Sequence, residues 1–553
     1  MREYPVNSGK GGVFLAQQRK QNFLSGAAVL AATVMLVKII GAIYKIPLLN
    51  LLGDEGSAHF NAAYQIYNFL LAVSTAGIPA AVSRLVSASL ANGGRGQVRR
   101  YLRVGLMVFT AIGVAGTAAM LIWPQFFADV IGDHEIANCI RVLAPAVTFS
   151  CVISVYRGYT QGHSNMIPTA ISQILEVLGK LIIGLAVAWQ LLRMGASSAD
   201  VSAGAIVGVT VGLGIAVPVL VIYCMRMYRY GPDGRGVHEA MLTRRQTAAQ
   251  ILKVSIPITL SSSLASIISV IDTSVLYDRL QNGAGFSFFQ AKILYGVYSK
   301  GLTLFNLPSA FVVPLSVSVV PSIAAALAVG KRQEARNVME SSTRVMNLIA
   351  MPACAGMCIL AAPIFGVLFP DSHEIGPLLL QILSFAAYFV CLELMSSCFL
   401  QASGYEKVLL ITSVTGSLIK VALDWWLAGS ENVHILGAPI SNITCYLFIS
   451  VANLTYIRVK TRESLRFGRM FLRPLVCTVI MAAAAWGVHG LCTALLFERL
   501  GGGGLAAAVC LFGAVIVAVA VYGVLVICLK AITREDLLLL PKGEKIADKL
   551  KIR

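Results

Sequence analysis

The chain has 553 residues, of which 57% are hydrophobic and 13% charged, and its formal net charge is +18. A soluble protein of average make-up carries roughly 45–50% apolar and about 25% charged residues. At a mass of 58.9 kDa and a mean hydropathy of +0.77, this chain lacks the charged shell of a water-soluble enzyme or a soluble nucleic-acid-binding protein, and both classes are excluded.

Residues 1–22 are polar and basic. No short apolar core with a small-residue cleavage site follows, so the next run is read as a retained first span. A bilayer crossing needs roughly 17–25 mostly apolar residues. Such runs occur at 23–45, 60–83, 102–123, 139–160, 168–192 and 201–224, and these form an N-lobe over 23–224. A basic cytoplasmic linker occupies 225–253. Runs resume at 254–277, 293–321, 343–368, 376–400, 407–428 and 437–457, giving a C-lobe over 254–457. The segment 458–529 holds a second basic loop and two more runs, 474–496 and 505–529, before a basic tail at 530–553. The predicted fold is an all-α polytopic membrane protein of fourteen transmembrane helices.

Charge tests the count, because cytoplasmic loops concentrate Lys and Arg. With the N-terminus inside, 34 of the 44 basic residues fall in inside segments. Asp54, Glu55, Asp129, Asp133, Glu135, Asp371, Glu374, Glu431 and Glu498 fall in outside loops. Both termini are therefore expected in the cytoplasm of a multi-pass protein of the cell membrane. The basic loops suit contact with anionic lipid, and no nucleic-acid motif accompanies them. The 12 cysteines lie mostly inside apolar runs, including Cys354 and Cys358 at i,i+4. They lack the clustered polar ligands of a metal site and read as small buried side chains.

The two groups of six resemble each other. Leu90, Gly93, Arg95 and Arg99 correspond to Leu327, Gly330, Arg332 and Arg336, and Gln161 and Lys180 correspond to Gln401 and Lys420, 240 residues on. An even number of spans per repeat makes the lobes parallel, related by an axis along the membrane normal. Two such lobes enclose a central cavity and rock against each other.

A charge at bilayer depth costs about 2.5–3.5 kcal/mol on insertion scales and marks a function by default. Lys38, Lys45, Arg84 and Lys300 make a basic set, and Lys38 and Lys300 have no acid three or four residues away. A cavity lined by them suits an anionic group such as a diphosphate. Glu176 with Lys180, and Lys420 with Asp424, are i,i+4 pairs. Such pairs either neutralise each other within one helix or face the cavity. Asp272, Glu393 and Asp424 are candidates for a coupling Na+ or proton. Gly77 and Pro79, and Pro308, Pro314 and Pro321, interrupt the second span of each lobe and are candidate gating kinks. The seven His are scattered, no HExxH occurs, and the four glycines at 501–504 lack the Lys-Ser/Thr of a phosphate-binding loop. No catalytic residue, metal or cofactor is expected. Transport would draw on an ion gradient or the membrane potential and not on ATP.

The N-terminal spans carry a specific pattern. It runs Gly26-Ala27-Ala28-Val29-Leu30, Lys38, Gly41, Tyr44-Lys45-Ile46-Pro47-Leu48, Gly53-Asp54-Glu55-Gly56, Ala63-Tyr64-Gln65-Ile66-Tyr67, Ser74-Thr75-Ala76-Gly77-Ile78-Pro79 and Ala81-Val82-Ser83-Arg84. This resembles the polysaccharide-transport branch of the multidrug/oligosaccharidyl-lipid/polysaccharide (MOP) exporters. The nearest likeness is to the stage V sporulation protein B and MurJ-type lipid II flippases of Gram-positive bacteria. The resemblance covers spans one to twelve. It implies two six-helix lobes around a cavity, and two extra helices forming a lipid-facing groove. It further implies an undecaprenyl-diphosphate-linked peptidoglycan precursor as cargo, with Lys38, Lys45 and Arg84 near the diphosphate. Cell-wall synthesis proteins are the implied partners, and a monomer the implied working unit. Lys at 38 and 45 stands where Gram-negative relatives tend toward Arg, so spore-cortex precursor and other lipid-linked sugars stay open. A cation-coupled drug exporter would favour twelve spans and carboxylates in the N-lobe, where only Glu176 lies at depth. A scaffold for envelope synthesis would not need Lys38 inside a span.

Overall fold

The computed structural model describes residues 10–91, 95–229, 242–461, 467–499 and 501–533. The tail 534–553, the start of the N-terminal tail and the middle of the expected linker lie outside these residues. Among the described residues the chain is wholly helical, without a strand. The first half comprises α1 (Lys10–Thr75), α2 (Ile78–Ala91), α3 (Arg95–Ile122), α4 (Pro124–Ile131), α5 (Ala137–Gly162), α6 (Ile167–Gly179), α7 (Leu185–Arg193) and α8 (Ser198–Arg229). The second comprises α9 (Arg244–Asp278), α10 (Phe288–Phe305), α11 (Leu307–Ala328), α12 (Arg332–Ile359), α13 (Ala361–Leu368), α14 (Gly376–Ala402), α15 (Glu406–Leu427) and α16 (Gly437–Thr461). Two further helices follow, α17 (Phe467–Leu496) and α18 (Gly504–Cys528).

Among the described residues, twelve helical stretches are long and apolar enough to cross a membrane. The first, Met35–Leu90, has 56 residues. At 1.5 Å per residue it far exceeds one bilayer core of about 30 Å, and it takes in the end of the expected run 23–45 and all of 60–83. It turns at Gly53, whose φ of 69° is open to glycine and costly to most other residues. The expected run 254–277 is not among the twelve, although α9 covers it without a break. The helices also outrun the apolar runs that predicted them. α9 starts inside the expected linker, behind a capping box in which Thr243 accepts from the Gln246 amide. Charge ends an apolar run but does not end a helix.

The expected kinks resolve differently. At Gly77 α1 stops and α2 begins, with the Gly77 amide donating to Thr259 Oγ1 of α9 at 3.2 Å. Pro79 lies in the first turn of α2, and Pro308 in the first turn of α11, where proline opens a helix and does not bend one. The run 293–321 is thereby split at Asn306 into α10 and α11. Pro314 and Pro321 lie inside α11.

Packing sets the overall arrangement. At one end a single buried core joins the two halves, with Leu48, Leu49, Tyr67, Ile140 and Val209 from the first and Tyr277, Tyr295, Leu304 and Leu379 from the second. At the other end the cores are separate. One contains Ile78, Val82, Tyr101, Val155 and Ile251, and the other Val312, Val319, Met346, Met395 and Phe399. The halves therefore meet firmly at one end only. The start of α9 stays with the first half, through Tyr101 OH to Gln250 Oε1 (2.7 Å) and Gln97 to Thr247 (3.3 Å).

Candidate functional site

The joined end is held by ion pairs between the halves. The turn at Gly53 presents Asp54 and Glu55, and α10 brings Lys292 and Lys300. Lys300 Nζ donates to Asp54 Oδ1 at 2.6 Å. Ser372 Oγ donates to the same oxygen (2.6 Å), and the His373 amide to Oδ2 (2.9 Å). Gly296 makes this possible, because a Cβ there would collide with the Asp54 carbonyl. Lys292 Nζ lies 2.6 Å from Glu55 Oε1 and 2.6 Å from Glu135 Oε2. Both lysines are 2% exposed. Buried charges of this kind are tolerated only when paired and hydrogen-bonded. The group is a latch that closes this end. Lys300 is thus not the unpaired cation that its local sequence suggests, since its partner lies 246 residues away.

Beyond the latch, Lys45 Nζ donates to Asn61 Oδ1 (3.2 Å), and Asn61 donates to Ser299 Oγ of the second half (3.0 Å). Lys45 therefore faces the seam. Lys38 stands seven residues earlier, two helical turns away on the same face. It is exposed and, among the described residues, has no hydrogen-bond or ion-pair partner. Arg84 is exposed on α2, away from its packed face of Ile78, Val82, Leu85 and Val86. Between α1 and α9 a polar recess of about 400 Å³ is lined by Gln65, Asn68, Thr75, Ser266 and Ser269.

The two i,i+4 pairs form as spaced, and each recruits a third charge. Lys180 donates to Glu176 Oε1 (2.9 Å) and to Tyr64 OH (3.1 Å), while Arg157 lies 3.6 Å from Glu176. Lys180 also opens a π-helical turn over Lys180–Gly184. In the second half Lys420 bonds Asp424 Oδ2 (2.8 Å) and also Asp272, and Ser441 donates to Asp424. Glu393 stands apart from both and accepts from Ser397 Oγ at 2.7 Å.

An apolar groove of about 710 Å³ runs between α12, α14 and α17. Cys354, Cys358, Phe385, Phe389, Val479 and Trp486 line it, and among the described residues no charged side chain does.

Residues 23–327, more than half of the chain, match the family profile described as polysaccharide biosynthesis protein. The chain belongs to that family. Residues 295–426 also match the MatE profile. The protein is 26% identical over 522 residues to the uncharacterized membrane protein YabM of Bacillus subtilis (strain 168), covering 94% of this chain and 95% of the relative. Stage V sporulation protein B of the same organism is 23% identical over 530 residues, covering 94% and 98%. Its lipid II flippase MurJ is 23% identical over 427 residues, covering 72% and 76%. Among solved structures, an inward-facing MATE family multidrug resistance transporter of the MOP superfamily aligns with a TM-score of 0.62 at 15% identity, over 79% of this chain and 99% of that one. This member of the polysaccharide biosynthesis family is thus a multi-pass membrane protein with a MATE-like fold, similar along most of its length to stage V sporulation protein B and MurJ.

In this family member the i,i+4 pairs form where their spacing puts them, while Lys300 and Lys420 also take acids 246 and 148 residues away that no local spacing signals. Glu55, His59, Glu135 and Lys292 were not singled out as a group. The i,i+4 spacing of Glu55 and His59 was the available signal.

Proposed function

We propose that this protein moves an undecaprenyl-diphosphate-linked oligosaccharide, lipid II being the leading candidate, from the inner to the outer leaflet by alternating access. The latch end would face outward and both termini the cytoplasm, with fourteen crossings. One observation carries the reading. Lys38 is a cation without a partner among the described residues, on the face that Lys45 turns toward the seam. Lys38, Lys45 and Arg84 would hold the diphosphate. The recess at Gln65 and Asn68 offers amides and hydroxyls to sugar, and the apolar groove at α17 suits a polyprenyl chain. Asp272 and Asp424 would take the coupling Na+ or proton. Similarity to a lipid II flippase supports the same cargo class.

The test is a lipid II accessibility assay on reconstituted protein, repeated with other lipid-linked sugars. Lys38→Ala is expected to insert normally and to lose at least nine-tenths of transport, while Lys38→Arg retains it. Full activity of Lys38→Ala would refute the assignment. Transport of a different lipid-linked unit, with lipid II untouched, would change the cargo and leave the mechanism standing.

A further inference from the structure

We propose that Glu55, His59 and Glu135 form a site for a divalent metal of the zinc type, in which the ammonium of Lys292 is the resident competitor. The site does not depend on the identity of the cargo. Glu55 and His59 lie one turn apart on α1, and Glu135 lies in the short helical turn before α5. One ligand atom from each falls within 4.8 Å of the others.

The histidine carries the argument. Its side chain is fully buried, and Nδ1 lies 2.8 Å from Asp133 Oδ2. Asp133 is itself buried and accepts the Glu135 amide on its other oxygen at 3.2 Å. A carboxylate only accepts, so Nδ1 donates to Asp133 and Nε2 is the ring nitrogen left to face the two glutamates. Nε2 has no hydrogen-bond partner among the described residues. The charged atoms that face it are Glu135 Oε2 at 3.3 Å and Glu55 Oε1 at 3.9 Å. A cation among these three atoms would give the buried Nε2 the partner it lacks. A carboxylate behind an imidazole is also the usual support of a metal-bound histidine. Tetrahedral zinc with bonds of about 2.0–2.1 Å sets its ligands about 3.3–3.4 Å apart. The Glu135–His59 distance already fits, while Glu55 must close on His59 from 3.9 Å and on Glu135 from at most 4.8 Å. One imidazole with two carboxylates suits zinc better than magnesium or calcium, which take oxygen alone.

Lys292 gives the site its consequence. Its ammonium uses the same Glu55 Oε1 and Glu135 Oε2 that the metal would take. The three ligands belong to the first half and Lys292 to the second. Metal binding would therefore detach one of the two lysines of the latch.

The test titrates full-length protein, purified in detergent and stripped with EDTA, with zinc ion alone in a calorimeter. The wild type is expected to bind one zinc per chain. Lys292→Met, which removes the competitor, should bind at least tenfold more tightly. Glu135→Gln should weaken binding at least tenfold. Glu135 is half exposed, so that variant keeps the fold where His59→Asn would risk it. X-ray absorption of the zinc-loaded protein should show nitrogen and oxygen ligands with one imidazole. The proposal is overturned if Lys292→Met binds no zinc, if Glu135→Gln binds as the wild type does, or if the bound zinc shows sulfur ligands.

Discussion

Asp54→Asn should open the latch end. In the wild type Lys300 is buried at 2% exposure, with Asp54 Oδ1 at 2.6 Å as its ion-pair partner. Removing one partner of a buried ion pair costs about 3–5 kcal/mol, because the other charge is left uncompensated. The carboxamide oxygen of the variant would still accept a hydrogen bond at this place, which favours the lower figure. About 3 kcal/mol is roughly a hundredfold or more in the ratio of open to closed forms. Lys300→Met should cost less, because Asp54 keeps two donors. The double variant should cost less than the sum, since neither charge is stranded.

Ser299 reports the opening. It is 1% exposed and sits in the seam against Asn61. A Ser299→Cys background reacts with an impermeant maleimide only when the halves part, and peptide mass spectrometry separates it from the 12 native cysteines. The labelling rate should rise about a hundredfold in Asp54→Asn, the ratio that 3 kcal/mol sets. Unchanged labelling, or single effects that add to within about 0.5 kcal/mol in the double variant, would refute the latch.

Three further outcomes follow from the same geometry. Exchanging Glu176 and Lys180 should lower the melting temperature and abolish transport, because it sets an ammonium against Arg157, now 3.6 Å from Glu176. Normal thermal unfolding of the exchanged protein would count against that contact. Ala483→Trp fills the apolar groove from an exposed wall position, so transport of a polyprenyl-linked substrate should fall at least tenfold with melting unchanged. Asp272→Asn leaves Lys420 and Asp424 as a one-to-one pair, and reconstituted transport should then lose its response to an imposed Na+ or proton gradient while the fold persists.

The contrast between what the sequence revealed and what it hid has a simple cause. Periodicity and apolar length are local, so the helices and the pairs Glu176–Lys180 and Lys420–Asp424 were legible. The pairing of Lys300 with Asp54, or Lys420 with Asp272, joins residues 246 and 148 positions apart. No spacing rule reaches that far. Pro308 misled for a related reason. Proline looks the same in a string whether it bends a helix or begins one, and only the break at Asn306 decides. The turn at Gly53 was hidden because its neighbours, Leu52 and Asp54, remain helical and glycine alone changes direction.

The related lysines of the two halves end in opposite electrostatic settings. Lys180 has its acid four residues before it, and Lys420 has its acid four residues after. Lys180 shares Glu176 with Arg157, leaving one positive charge in excess; Arg157 Nη2 is buried without a hydrogen-bond partner among the described residues. Lys420 divides itself between Asp272 and Asp424, two carboxyl groups to one ammonium, which leaves room for a proton or a cation. An uncompensated buried charge is costly in either sign, so the first half gains by holding an anion and the second by holding a cation. Lys38 and Lys45, on the first half, add to the same asymmetry. Under the function proposed above, a carrier built this way would couple an anionic lipid headgroup to an inward cation or proton through charge balance. Each ligand would then neutralise the half that the other leaves alone, and binding of either would favour binding of the second when the halves approach.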